Sequence, residues 1–369
     1  MLGIGSDYVA DAVRRAIVLV AEINQSNSPG ISTTWGHVRG VSGVQEAPSA
    51  ALHGKVGKTM VTLGGVDPGF GPRDDLRHWP APGGKMRDSL FWELIMPEER
   101  LGMQIYLYLT DRGKTGYNVS VWGPDTEPVA LKLASGSVPT GMDFDNFAFQ
   151  GLTVKQPELR RTAEVVFRHE DLTIEYTFAA IHDAFSYRSN PDGLPAWFAE
   201  NRLEQTGRVT GFIDVGGRRI EWDRMGHRDH SWGNRNWGIP HHWKWFVAYT
   251  ESGRAVNGWI WIAKGEWGFA GYVVKDGVTV PVSHIKHKAS YNDDMTQRRL
   301  DAELVDITGE STHLVLDSYG VVKLPTNDKM ATEIWEAACT ATIDGEVGAG
   351  QFETHWPTPY LQHLIESKE

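Results

Sequence analysis

The chain has 369 residues and a single cysteine, Cys339. That scarcity rules out an intramolecular disulfide and any zinc or iron–sulfur site built on several thiolates. No apolar run approaches the roughly 20 residues that a membrane-spanning helix needs. Positive charge is also short: 36 Lys and Arg against 47 Asp and Glu leave a formal charge of −11. Nucleic acid and anionic membrane surfaces demand a basic face and are disfavoured as partners. The Walker loop, the G-x-G-x-x-G turn and the G-x-S-x-G elbow are all missing, so no nucleotide cofactor is expected. Gly64-Gly65 and Gly83-Gly84 are isolated pairs that mark only turns.

At the N-terminus the apolar stretch AIVLV is too short for a secretory signal, and Asp7 and Asp11 stand where such a signal carries positive charge. A cytoplasmic protein is expected. Val9, Ala12, Val13, Ile17 and Val20 recur at helical spacing, whereas residues 25–59 are rich in Ser, Gly and Ala. Residues 1–59 therefore read as a short helix and a flexible linker. Met60 reads as a start near the beginning of the folded part, and as a candidate natural start codon.

Aromatic residues are what the chain has in excess. Of 15 tryptophans, a group lies in one stretch: Trp222, Trp232, Trp237, Trp243, Trp245, Trp259, Trp261 and Trp267. Large rings with one N–H donor suit a core or the wall of an aromatic pocket. From Met60 onwards, short segments rich in branched and aromatic residues alternate with turn residues, which predicts an all-β protein of hairpins. Turns are predicted at Asp111–Gly116, His169–Asp171, Gly216–Gly217, Asp276–Gly277 and Gly345. The run Asn190-Pro191-Asp192-Gly193 with Pro195 is the strongest break and predicts a boundary between two units, 60–190 and 191–369. Each half holds enough strands to close a small barrel, and such barrels hold ligands in their mouths.

The densest chemistry is Gly226-His227-Arg228-Asp229-His230-Ser231-Trp232-Gly233-Asn234-Arg235-Asn236-Trp237, read as a loop-rich stretch between strands. In extended backbone, His227 and Asp229 share a face. A carboxyl desolvated among tryptophans has a raised pKa and can act as a general acid near neutrality. The competing reading pairs Asp229 with Arg228 or Arg235 and bonds the histidines to backbone at a barrel rim. In HWKWFVAY, His242, Lys244 and Phe246 share one face, while Trp243, Trp245 and Val247 form a wholly apolar one. His227, His230, His241 and His242 lack the spacing of a helical zinc motif, so no metal site is expected. Asp74–Pro80, Arg87–Glu93 and the run Asn201, Arg202, Glu204, Gln205 carry further charge, read either as reaching an interdomain pocket or as surface pairs.

GHRDHSWGNRNW, together with RDSLFWELIMPEERLGMQIYLYL and NRLEQTGRVTGF, resembles a bacterial tandem lipocalin-like family related to AttH-like and carotenoid 1,2-hydratase-like proteins. The resemblance covers about residues 60–369. It implies two lipocalin-like antiparallel β-barrels side by side, the second carrying the His/Asp/Trp motif. It also implies cofactor-free acid–base chemistry, of lyase or hydratase type, on a terpenoid or lignin-derived aromatic compound, with formaldehyde release as one option. In that reading Asp229, His227 and His230 are catalytic. Arg228 and Arg235 bind a substrate oxygen, and Trp232, Trp237, His242, Trp243, Trp245 and Tyr249 line the pocket. The alternative is a non-catalytic carrier of an apolar small molecule. Self-association is left open.

Overall fold

The computed structural model describes residues 71–191, 193–236, 238–324 and 331–367. The expected N-terminal helix and linker, Met60 and Trp237 lie outside the described residues.

Eleven strands form the first sheet. They are β1 (Arg87–Met96), β2 (Leu101–Thr110), β3 (Lys114–Trp122), β4 (Ala130–Ser137), β5 (Asn146–Phe149), β6 (Leu152–Glu158), β7 (Thr162–His169), β8 (Leu172–Ala180), β9 (Phe185–Ser186), β10 (Asn201–Val215) and β11 (Arg218–Gly233). Their order is β4-β3-β2-β1-β11-β10-β8-β7-β6-β5, with β9 beside β10, so this unit is an open half-barrel. The second unit is a closed barrel of β12 (Pro240–Tyr249), β13 (Ala255–Ala263), β14 (Glu266–Lys275), β15 (Val278–Tyr291), β16 (Gln297–Asp306), β17 (Ser311–Leu324), β18 (Thr332–Ile343) and β19 (Glu346–Pro357). Helix α1 (Thr358–Glu366) follows it. Among the described residues, no helix is long and apolar enough to cross a membrane. The tandem β architecture expected from the sequence is present.

The predicted hairpins form where the turn residues accept positive φ, as at Gly216 (59°) and Gly217 (76°), and at Asp276 (51°) and Gly277 (76°). The predicted boundary at 190/191 is corrected. β10 and β11 belong to the first sheet, and the chain changes sheet only between Gly233 and Pro240. The Pro- and Gly-rich run is an excursion between β9 and β10, after which the chain returns to the same sheet.

Three cores result. Leu90, Trp92 and Leu94 of β1 point into the half-barrel with Val165, Ile174 and Phe178. Phe246 and Ala248 of β12 point into the closed barrel with Leu300, Leu314 and Phe352. The opposite faces of the same two strands meet each other: Phe91 and Ile95 pack with Trp243, Trp245, Val247 and Tyr249. β1 is therefore buried on both faces, and each large apolar side chain so covered contributes about 1.5–3 kcal/mol. This third core joins the units, and the candidate site opens within it.

Candidate active site

The motif expected in a loop forms the second half of a 16-residue strand, β11, buried from Met225 to Gly233. Both faces are covered, so the alternation of the strand is invisible as polar against apolar. It nevertheless divides the motif into two clusters with different neighbours.

Arg228, His230 and Trp232 turn to the half-barrel's inner side. The Arg228 guanidinium grips Asp75 bidentately, at 2.9 and 3.0 Å, and donates to Gln205 Oε1 at 2.8 and 2.9 Å. Burial opposes the charged form of Asp75, but Arg228 and His230 outweigh it and hold the carboxyl below its ordinary range. Asp88 Oδ1 meets His230 Nε2 at 3.1 Å and His78 Nδ1 at 3.0 Å, and Trp232 stacks on His78 at 3.8 Å. His78, Asp88 and His230 are the group among the described residues whose donor atoms converge closely enough, within 4.8 Å, to surround a metal ion. Their contacts are hydrogen-bond distances, and they pin the segment around residues 74–78 across β1 and β11.

His227, Asp229 and Ser231 turn the other way, toward the closed barrel. Arg202 of β10 links them: its Nε donates to Glu204 Oε1 at 2.5 Å and its Nη2 to Asp229 Oδ2 at 2.8 Å. Glu204 Oε2 lies 2.6 Å from His227 Nε2, and Trp245 Nε1 donates to Glu204 Oε1 at 3.2 Å. The chain His227–Glu204–Arg202–Asp229 thus runs along one face with no direct contact between His227 and Asp229. Burial works against the charge on Glu204, yet Arg202 and His227 keep it ionised below its ordinary value. Burial also lowers His227. For Asp229 burial wins: its carboxyl is pushed up to about 7, with Arg202 pulling the other way. A buried acid titrating near neutrality is a functional-site signature.

Asp229 lies on the wall of a cavity of about 320 Å³ between the half-barrel's outer face and the outer face of the closed barrel. This cavity lies between the two barrels, whereas the sequence suggested a barrel mouth. Phe91, Phe198, Trp243, Trp245 and Trp259 supply its aromatic wall. Arg202, Asp229, Ser231 and Arg235 face it from the first unit, and Glu336 and Glu353 from the second. Glu336 and Glu353 are cross-strand neighbours on β18 and β19; Trp243 Nε1 donates to Glu353 at 2.5 Å, and Gln351 Nε2 donates to Glu336 at 2.8 Å. Burial raises both carboxyls; Glu353 adds to the rise at Glu336, whereas hydrogen bonds from Glu336 and Trp243 pull Glu353 the other way.

Of the residues singled out from the sequence, Asp229, Arg235, Trp243 and Trp245 line the cavity, and His227 stands behind it. Arg228, His230 and Trp232 are on the opposite face of β11, so the structure does not bring them to Asp229. His242 points into the closed barrel, bonded to the His355 carbonyl at 2.7 Å and to Lys244 Nζ at 2.8 Å. Tyr249 lies between the units, where its hydroxyl donates to Glu93 at 3.2 Å, but it is not in the cavity lining. Sequence reasoning missed Glu336 and Glu353. The available signal was parity: on β18, Glu336 shares a face with Ile334 and Ala338, both apolar.

A family model for a domain of unknown function, DUF7064, matches residues 71–358. The chain belongs to the DUF7064 family. This DUF7064 chain resembles a crystal structure of an AttH-like protein from Nitrosomonas europaea, with 16% identity and a TM-score of 0.53, over 75% of this chain and 94% of the other. It resembles CghA with 10% identity and a TM-score of 0.50, over 74% of this chain and 88% of that one. Kievitone hydratase from Nectria haematococca aligns with 13% identity and a TM-score of 0.45, over 76% and 91% of the two chains. For the AttH-like protein and CghA the likeness is one of fold. Among curated proteins, none matches this DUF7064 sequence.

Proposed function

We propose that the cavity is the active site of a hydratase- or lyase-type enzyme that moves protons on a bulky, largely apolar molecule. The observation that carries this reading is Asp229: a carboxyl held by Arg202 at 2.8 Å, pushed up to about 7, on the wall of an aromatic cavity. Such a group is protonated often enough near neutrality to act as an acid, and its conjugate base can take the proton back.

In a hydration, Asp229 delivers its proton to one carbon of a double bond. The cation that develops on the other carbon faces the rings of Trp243, Trp245 and Trp259, whose electron-rich faces stabilise it. Water adds there, and the proton it releases restores the acid, so H and OH have been added across the bond. Terpenoid and lignin-derived aryl skeletons both suit the wall. In a carbon–carbon lyase the Asp229 carboxylate instead removes a hydroxymethyl proton. Formaldehyde leaves, and the electron pair left on carbon takes the proton back. Glu204 and His227 are positioning residues that hold Arg202 against Asp229.

The test is a panel of terpenoids and lignin-type aryl dimers, offered without added cofactor, with tryptophan quenching and product mass followed together. Quenching with a mass change, the latter abolished in Asp229→Asn, is the expected result. Quenching with unchanged mass across the panel would favour a carrier. In either case Trp245→Ala should weaken binding about tenfold or more, since an aromatic anchor at a buried site is worth upwards of about 1.4 kcal/mol.

A further inference from the structure

We infer that Arg87 and Arg235, with Tyr106, Ser89 and Ser231, form an anion-binding pole of the cavity, so that its ligand is a bulky apolar molecule carrying a carboxylate. This rests on the reading of the cavity as the substrate site and narrows it to a chemical class.

Strand pairing brings the pole together. Ser89 of β1 lies opposite Ser231 of β11, and their hydroxyls are 3.2 Å apart. Arg235 Nη2 donates to both, at 2.6 Å to Ser89 and 2.5 Å to Ser231. Two residues along β1, the Arg87 guanidinium stacks over the Tyr108 ring at 3.9 Å, and its Nη2 donates to the Tyr106 hydroxyl at 3.1 Å. All of these side chains line the cavity.

Charge is what makes this arrangement informative. Arg202 has its countercharge in Glu204 and Asp229. Arg87 has no carboxylate within 4.0 Å among the described residues, and its buried Nε has no hydrogen-bond partner. Arg235 is held below its ordinary value by burial, with Arg87 and Arg202 adding repulsion and Tyr106 and Asp229 pulling the other way. Burial raises the Tyr106 hydroxyl's pKa, yet the two arginines outweigh it and bring it down, which reports a positive field at that spot. The other carboxyls in the cavity, Asp229, Glu336 and Glu353, are all shifted toward their neutral forms. In a chain of net charge −11, the cavity therefore has an end where hydroxyl donors surround the Arg87 fork, which meets no carboxylate within 4.0 Å among the described residues. Planar guanidinium forks match the two oxygens of a carboxylate. The aromatic wall then takes the rest of the molecule.

The probes are a matched pair, 1-naphthylacetate and 1-naphthaleneethanol, titrated at pH 7.5 (about three units above an ordinary carboxylic acid) by tryptophan quenching. The acid should bind about tenfold or more tightly than the alcohol. Arg87→Met should abolish that preference while leaving the alcohol's affinity within about twofold, and Arg87→Lys should retain part of it. Circular dichroism and thermal unfolding confirm that each variant is folded. Equal affinity for acid and alcohol, or a preference undiminished in folded Arg87→Met, overturns the anionic class and leaves the cavity reading standing. If neither probe quenches, while the uncharged panel compounds do, the anionic class falls. If nothing quenches, both readings fall.

Discussion

Replacing Asp229 by asparagine should lower turnover by about 10³-fold while changing substrate affinity little. Asparagine has nearly the same volume, and its side-chain oxygen still accepts the hydrogen bond from Arg202. What it lacks is a proton to give near neutrality. The pH dependence carries the sign. The acid form of Asp229 disappears as pH rises through about 7, so the wild-type rate for a protonation step should fall about tenfold per unit above that. The residual rate of the variant should be flat there. Stability should also fall as pH rises, over the window below about 7. The native carboxyl is raised from 3.8 to about 7 by burial, so between those values the native state holds a proton that the unfolded chain has lost. Stability is therefore lost as pH rises across that window, to a total on the order of 4 kcal/mol above it. Asp229→Asn removes this dependence. It should be more resistant to urea than the wild type at pH 8.5 and show little difference at pH 4. A variant that loses activity and stability together at every pH would mark Asp229 as a structural ion-pair partner of Arg202.

Arg228→Met should have the largest effect on folding. Arg228 is buried, holds Asp75 with two hydrogen bonds, and reaches Gln205 and Gln156 besides. Methionine fills much of the volume but strips Asp75, itself wholly buried, of its guanidinium partner and leaves its charge to His230 and the Arg160 N–H. Breaking a buried pair from one side costs about 3–5 kcal/mol. In a chain of this size that lowers Tm by on the order of 10 °C. The folded fraction at low temperature should still bind the wild-type ligand with unchanged affinity, because Arg228 does not reach the cavity. A raised KM at unchanged Tm would place Arg228 in the substrate site after all and undo the division of β11 into two faces.

The sequence made local features visible and hid long-range ones. Hairpin turns such as Gly216–Gly217 and Asp276–Gly277 were legible because positive φ is a property of the residues themselves. The aromatic face of β12 was legible because Trp243, Trp245 and Val247 alternate with His242, Lys244 and Phe246. The GHRDHSWG stretch looked like a loop because a strand buried on both faces in polar networks shows no alternation of polar and apolar. The break at Pro191 and Gly193 marks an interruption of the chain, and nothing local reveals that β10 and β11 return to the same sheet. Glu336 and Glu353 lie more than a hundred residues beyond Asp229, and only the pairing of β18 with β19 and the packing of the two units bring all three to one cavity. The motif itself lies on a strand that borders the cavity, and Asp229 within it reaches the cavity wall.

Whether Asp229 is poised as an acid is tested without any substrate by pH-difference infrared spectroscopy, comparing wild type with Asp229→Asn. A carboxylic C=O band, absent from the variant, should titrate near pH 7. A band that titrates near pH 4, the ordinary value of an aspartate, would contradict it.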